Sequence, residues 1–184
     1  MKLRAAIIID QLRAEKWMLD ALNEASDQLE IIYVLNCVNS KTKRKWIENF
    51  FYYILNFLSL KNNQTKKQSL PDNNAKIINF ESDYIKNWQT IPVNIIQKLL
   101  DKKIEVVIKF GMGLLKIDEK LSQCNVLSFH HGNPSKYRGR PAGFYEMLNG
   151  EKKSGVIVQK LNNELDAGTV YAFAESKVFN YSYK

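Results

Sequence analysis

Short apolar runs that alternate with helix-forming segments constrain this chain of 184 residues more than any other feature. The runs have the length of buried strands, and they are Arg4–Asp10, the strand IIYVL within Gln28–Cys37, Lys76–Phe80, Glu105–Lys109, Asn125–His130, Lys153–Lys160 and Thr169–Lys177. Helical spacing of apolar residues predicts helices at Leu12–Gln28 and at Val93–Lys103, the second with Pro92 near its first turn. Shorter helices are expected around Asp118–Gln123 and Gly139–Leu148. This alternation predicts an α/β fold with a mostly parallel sheet and helices on both faces.

The loops that follow the strands are the places to look for function, because parallel sheets bind ligands beyond the carboxyl ends of their strands. The sequence has neither a G-x-G-x-x-G motif after the first strand nor a phosphate-binding P-loop, so a dinucleotide or nucleoside triphosphate site is not favoured. Both histidines of the chain lie together at the end of the fifth predicted strand. The informative loops are therefore those after Phe110 and around His130.

The positive charge of the chain is local. The formal net charge is +8, and the stretch from Lys41 to Lys67 alone holds seven basic residues and one acidic residue. We interpret this stretch as part of an insertion at residues 39–74, and its centre, Trp46–Leu60, is predicted to form an aromatic and apolar helix with a narrow polar stripe. Three roles fit this segment: packing on the domain, contact with a membrane surface, or binding of a partner chain such as a second copy. Specific binding of nucleic acid is not expected.

The cysteines and the apolar runs indicate in which cellular compartment the protein is expected. Cys37 and Cys124 form no C-x-x-C pair, which excludes a disulfide scaffold and a zinc site built from cysteines, and no metal site is expected. The apolar run near the amino terminus ends at Asp10 and is too short for a signal peptide, while residues 46–60 are too few and too polar to span a membrane. A reduced, cytoplasmic protein is the expectation.

An acid and base pair is predicted around the histidines. Side chains alternate along a strand, so Ser128 and His130 share one face while Phe129 and His131 share the other. Asp166 lies on a later loop beside Gly168, just before the last predicted strand. A carboxylate next to an imidazole raises the imidazole pKa and orients the ring for proton transfer. As an alternative, Asp166 is simply a turn residue.

Three ordered blocks of the sequence resemble one enzyme family. They are VVIKFGMGLLK at 106–116, SFHHGNPSKYRG at 128–139 and LNGEKKSGVIVQKLNNELDAGTVYA at 148–172. Together they resemble the amino-terminal, Rossmann-like catalytic domain of the formyltransferases that use 10-formyltetrahydrofolate. The resemblance implies that the whole chain, 1–184, is such a catalytic domain and that it carries the 39–74 insertion.

The family's catalytic triad is Asn, His and Asp. The resemblance places its His on His130, its Asp on Asp166 and its Asn on Ser128, so this chain departs from the family at the residue that steadies the developing oxyanion. A serine hydroxyl also donates one hydrogen bond, but from a shorter stem, and one such donor contributes about 3–4 kcal/mol to catalysis. Asn133 and His131 are alternative donors.

The resemblance also assigns binding residues. The residues implied for the folate are Phe110, Gly111, Met112, Leu114 and Leu165. An apolar, glycine-containing loop suits a flat heteroaromatic ring. Alternatively, Met112, Leu114 and Leu115 are simply core residues. The acceptor is expected at Arg138, Gly139 and Arg140, because guanidinium groups bind phosphate with two parallel hydrogen bonds. Alternatively, Arg138 braces its own loop.

The length of the chain shapes the expected acceptor. Formyltransferase catalytic domains continue into further helices, so the chain is expected to be short at its carboxyl end and to lack a tRNA-holding domain. The expected function is therefore formyl transfer to a primary amine on a small, phosphate-bearing acceptor such as an amino-sugar nucleotide. The alternatives are activity on methionyl-tRNA, and a non-catalytic or remnant module that binds folate.

Overall fold

The computed structural model of the chain describes residues 1–39, 66–70, 74–132, 136, 146, 148–164 and 168–177. The strands within this part are β1 (Leu3–Asp10), β2 (Arg13–Glu15), β3 (Leu29–Cys37), β4 (Lys67–Ser69), β5 (Lys76–Phe80), β6 (Asp83–Ile85), β7 (Trp88–Thr90), β8 (Val106–Lys109), β9 (Leu114–Leu115), β10 (Asn125–His131), β11 (Lys153–Lys160) and β12 (Thr169–Lys177). The helices within it are α1 (Lys16–Glu24), α2 (Val93–Asp101) and a single 3₁₀ turn, Leu121–Gln123.

The central sheet is mostly parallel, as predicted. Strands β5, β3, β1, β8 and β10 lie side by side in that order and are all parallel. Strands β11 and β12 then extend the sheet in antiparallel fashion beyond β10. Because β1, β8 and β10 are neighbouring parallel strands, their carboxyl ends meet at one edge, where Ser128, His130 and the loop after Phe110 lie.

Helices pack on both faces of this sheet, because β1 is apolar on both sides. Ala6 and Ile8 belong to the larger core, which also holds the buried face of α2. Ile7 and Ile9 point to the opposite face and pack with a smaller cluster that includes Leu22 of α1. A strand buried on both faces reads as a continuous apolar run, which is why the isoleucine triplet predicted it correctly.

The first helix starts later than predicted. Gln11 and Leu12 both adopt a positive φ, 54° and 52°, and they form a two-residue turn that pairs Asp10 with Arg13. A turn of this kind folds the chain back as a β-hairpin, so the residues before Lys16 form β2 and the prediction of a helix from Leu12 is wrong at its start. The second helix begins at Val93 after Pro92, as predicted.

Part of the predicted insertion joins the sheet. Within residues 39–74, the described strand β4 pairs antiparallel with β2, and the backbone N–H of Lys16 donates to the carbonyl of Lys66. The predicted helix at Trp46–Leu60 and most of the one at Gly139–Leu148 lie outside the described residues. The division into a catalytic domain and an insertion stays a prediction.

A small second sheet was not predicted. Strand β7 pairs antiparallel with β6 and parallel with β9, which carries Leu114 and Leu115. These strands are only two or three residues long and show no periodic pattern. They matter for function because they hold the loop after β8 against the rest of the domain.

Candidate active site

Strand β10 presents two different surfaces at the carboxyl end of the sheet. Ser128 and His130 both line a cavity on one face. On the other face, the rings of Phe129 and His131 lie 5.4 Å and 5.5 Å from the ring of Trp17. The alternation expected of a strand therefore holds, and it brings the predicted serine and histidine to one site.

The cavity has a volume of about 490 Å³ and mixes apolar walls with polar groups. Residues that line it are Trp88, Lys109, Gly113, Leu114, Leu115, Ser128, Phe129, His130, Gln159, Leu161, Asn162, Glu164 and Gly168. Its size falls within the range of about 300–1,000 Å³ that is typical of small-molecule sites. An apolar wall with a few convergent polar groups can hold and orient a flat organic ligand.

Two polar residues of this cavity were missed by the sequence analysis. Lys109 ends β8 directly beside Ser128, and Gln159 of β11 is the partner of Ser128 on the other side. A charged residue that closes an apolar strand, as in the run VVIK, was a usable sign for Lys109. Gln159 has no such sign, since only the strand pairing places it in the cavity.

The loop after β8 is held tightly against β1. The backbone N–H groups of Phe110 and Gly111 both donate to the carbonyl of Ile8, at 3.0 Å and 2.9 Å. The N–H of Met112, which has a positive φ of 62°, donates to Oδ1 of Asp10 at 2.9 Å. Such close backbone approach requires a residue without a Cβ at position 111.

The residues predicted for the folate separate into three environments. Leu114 lines the large cavity. The side chain of Met112 is buried in the larger core. Phe110 and Gly111 line a second, smaller cavity of about 160 Å³, together with Asp10, Arg13, Glu15 and Met18. Of this loop, Leu114 is thus the predicted residue whose position suits a ligand in the large cavity.

A chain of buried polar groups holds the other side of the same loop. The Gln89 side chain, which is 2% exposed, accepts a hydrogen bond from the N–H of Gly113 and donates to Oγ of Ser82 at 2.8 Å. Ser82 in turn donates from its N–H and its hydroxyl to Oδ1 of Asn39. Because buried polar groups are costly to leave unsatisfied, this network fixes where Gly113 and Leu114 stand.

The opposite face of β10 is aromatic. Phe110 stacks on Phe129 with the ring centroids 5.5 Å apart, and Trp17 of α1 contacts both rings edge-on. Burial lowers the pKa of His131 below its ordinary value of 6.5, and the neighbouring His130 lowers it further, whereas Glu15 raises it. Because its ring packs against Trp17, His131 lies on the face of β10 opposite to Ser128 and His130. A role for His131 as an alternative donor stays a prediction.

Several predicted site residues lie outside the described residues: Asp166, Leu165, Arg138, Gly139, Arg140 and Asn133. Their assigned roles stay predictions. On either side of the gap at 165–167, Glu164 and Gly168 both line the large cavity.

The described residues contain neither a metal-binding cluster nor a membrane-spanning helix. No cluster of three or more His, Cys, Asp or Glu side chains is placed to hold a metal ion there. Nor does that part of the chain contain a helix of the length and apolarity that crossing a membrane requires.

Known formyltransferases are among the proteins to which this chain is similar. No model of a known protein family matches the chain. It is 27% identical over 168 residues to a methionyl-tRNA formyltransferase of Borrelia duttonii, a match that covers 89% of this chain and 48% of the relative. It is 31% identical over 99 residues to the enzyme of the same name from a Sulfurihydrogenibium species, covering 54% of this chain and 31% of the relative.

A solved structure shows the same fold. The phosphoribosylglycinamide formyltransferase of Anaplasma phagocytophilum superimposes with a TM-score of 0.63 at 14% identity, over 99% of this chain and 76% of that one. The chain fits the formyltransferase family. Members of the family use 10-formyltetrahydrofolate as the formyl donor. The chain spans about a third to a half of the length of the two curated formyltransferases named above. Its own activity, substrates and partners are therefore proposed below.

Proposed function

We propose that this chain transfers a formyl group from 10-formyltetrahydrofolate to a primary amine. One observation carries the proposal: Ser128 and His130, the residues that match the family's catalytic positions, line the same cavity of about 490 Å³ at the carboxyl end of the sheet. Sequence resemblance alone would not require the two side chains to share a face or to adjoin a space large enough for a ligand.

The residues present fit a folate. Trp88, Leu115 and Leu161 give the cavity flat and branched apolar walls, and Leu114 adds to them from the loop after β8. A pterin ring buries well against such side chains, while polar groups at one end fix its orientation. The predicted contact of Leu165 with the ring is part of the proposal.

Three residues, His130, Ser128 and Asp166, are proposed to carry out the transfer. When bound, 10-formyltetrahydrofolate supplies the formyl carbon for attack by the acceptor amine. His130 accepts the proton that the attacking amine gives up and returns it to the amine that leaves, so the transfer balances with no other reactant. Ser128 donates its hydroxyl hydrogen to the formyl oxygen as charge builds there. Within the described part of the chain, that hydroxyl makes a long contact, 3.5 Å, with the carbonyl of Phe129, and so weak a contact leaves it able to turn. Asp166 is proposed to orient the imidazole.

Two acceptors are supported by different observations. Arg138 and Arg140, which are predicted to bind the acceptor, favour a small acceptor that carries phosphate, such as an amino-sugar nucleotide. The curated relatives are named methionyl-tRNA formyltransferases, which favours methionyl-tRNA equally. Both acceptors offer a primary amine to the same cavity.

The test is a turnover assay with purified protein and 10-formyltetrahydrofolate. Release of tetrahydrofolate is followed with an amino-sugar nucleotide, with methionyl-tRNA, and with no acceptor, so that simple hydrolysis is measured separately. His130→Gln is compared with His131→Gln, a matched control because the two histidines are adjacent on β10 and point to opposite faces.

We expect acceptor-dependent turnover that falls about 100-fold or more in His130→Gln and stays within a few-fold in His131→Gln. Equal activity of the His130→Gln variant and the natural chain would refute the proposal. Because serine replaces the family's asparagine at position 128, a second candidate is a non-catalytic module that binds folate. Calorimetric binding of tetrahydrofolate without turnover would establish it.

A further inference from the structure

A polar row crosses three neighbouring strands beneath the large cavity. Lys109 of β8 is paired with Ser128 of β10, and Ser128 is paired with Gln159 of β11. Residues directly opposite each other on adjacent strands point to the same face of a sheet, and adjacent strands lie about 4.8 Å apart. All three residues line the cavity, which agrees with this placement. Lys109 and Ser128 therefore approach one ligand from adjacent positions.

Part of the cavity wall around Lys109 is apolar, which increases the electrostatic effect of its charge. The preceding residues of β8, Val106–Ile108, are buried and apolar, and Lys109 itself is half-buried at the end of the strand. Trp88 and Leu115 form apolar parts of the same cavity wall. In such surroundings the effective dielectric is low, so an ammonium group acts more strongly on a nearby negative charge than it would in water. Glu164, which also lines the cavity, is exposed.

The charge of Lys109 also compensates for the weaker hydrogen-bond donor at position 128. Ser128 supplies one short, neutral donor where the family has an amide, and His131 faces away from the cavity. Lys109 carries three N–H donors on a flexible stem and stands beside Ser128. A donor of full positive charge forms a stronger hydrogen bond to an oxyanion than a neutral amide does.

We propose that Lys109 is a catalytic residue of this site, whose ammonium group donates a hydrogen bond to the formyl oxygen together with the Ser128 hydroxyl. This inference rests on the proposed formyl transfer. As the amine nitrogen bonds to the formyl carbon, the C=O electron pair moves onto the oxygen, and the bond from carbon to the leaving nitrogen then breaks. Lys109 keeps its proton throughout and stabilises the oxygen while it is negative.

The test uses three variants of the full chain. Lys109→Met removes the charge and keeps the length of the side chain, and Lys109→Arg keeps the charge. Lys160→Met is the matched control, because Lys160 is also a half-buried lysine of the central sheet, yet its Nζ donates to Oδ1 of Asn125 at 2.8 Å outside the cavity lining. Turnover, calorimetric affinity for tetrahydrofolate and thermal unfolding are measured for each variant.

We expect Lys109→Met to lower kcat by about 10- to 100-fold while the affinity for tetrahydrofolate, which has no formyl oxygen, changes less than about twofold. Lys109→Arg should recover most of that loss, and Lys160→Met should keep kcat within about twofold. The inference is overturned if kcat in Lys109→Met equals that of the natural chain, or if the loss appears only as weaker binding of tetrahydrofolate. It is also overturned if Lys160→Met loses as much.

The measurements distinguish failure of the role of Lys109 from failure of the proposed function. If the natural chain turns over and Lys109→Met is equally active, the role of Lys109 fails and the proposed function stands. If the natural chain binds tetrahydrofolate without turnover toward any acceptor, the proposed function fails and the role of Lys109 fails with it.

Discussion

Replacing Gly111 with alanine should destabilise the protein far more than the same change two residues later at Gly113. A Cβ added at Gly111 would lie 2.7 Å from the backbone N and from Oδ1 of Asp10, and 2.7 Å from the carbonyl carbon of Ile9. Real Cβ atoms do not approach other heavy atoms this closely, and two of these three atoms belong to the backbone of the central strand β1. The loop after β8 would have to move away from the sheet.

The expected loss in the free energy of unfolding has two contributions. Overpacking against a rigid neighbour costs about 1–3 kcal/mol, and loss of the hydrogen bond from the N–H of Met112 to Asp10 adds about 1 kcal/mol. At this chain length each kcal/mol lowers Tm by about 2–4 °C, so a fall of about 4–16 °C is expected for Gly111→Ala.

Gly113→Ala is the matched control. Its added Cβ would lie 3.2 Å from Oε1 of Gln89, the end of a side chain, and a small shift relieves the contact. We expect a loss of less than about 1 kcal/mol. Thermal unfolding followed by circular dichroism compares the two variants. Equal Tm values for them would refute the close approach of the loop to β1.

Three further outcomes are expected. Asn163→Ala should lower Tm by about 2–8 °C in a thermal melt, because the Asn163 side chain accepts from the N–H of Ile117 at 2.8 Å and donates to its carbonyl at 2.7 Å; an unchanged Tm would contradict this. Burial raises the pKa of Cys37 and of Cys124, so a thiol reagent at pH 8 should label neither in the native protein and both after denaturation, and rapid native labelling would contradict the burial. Because the pKa of His131 is lowered on folding, the unfolded chain binds that proton more tightly; stability should be fully present above about pH 6.5 and fall as the pH drops below it, and His131→Gln should flatten this slope in melts from pH 5 to 8.

The main strands could be predicted because their information is local. Lys76–Phe80, Lys153–Lys160 and Thr169–Lys177 have the predicted bounds, and β1, β8 and β10 differ by one residue at an end. Strand β3 extends two residues beyond each end of the predicted strand IIYVL, 31–35. Apolar runs of strand length carry the pattern of burial in the residues themselves. The parallel order of the sheet followed from the alternation with helices, and the pairing confirms it.

The short strands β2, β4 and β9 could not be predicted, because partners distant in the sequence stabilise them. Residues 13–15 lie within the segment predicted as the first helix, yet they form β2 since they pair with β4, more than fifty residues away. The same holds for Leu114 and Leu115, which form β9 only through pairing with β7. Local propensity is weak at such places, and tertiary pairing overrides it.

By itself, the sequence determined the fold class, the two faces of β10 and the position of Ser128 and His130 at the end of a strand, because each depends on the spacing of neighbouring residues. Only the tertiary structure decided that Lys109 and Gln159 flank Ser128, that Met112 is core while Leu114 lines the cavity, and that His131 packs against Trp17. The physical reason is that a cavity forms between elements distant in the chain. Its lining therefore depends on strand order and register, which no local pattern encodes.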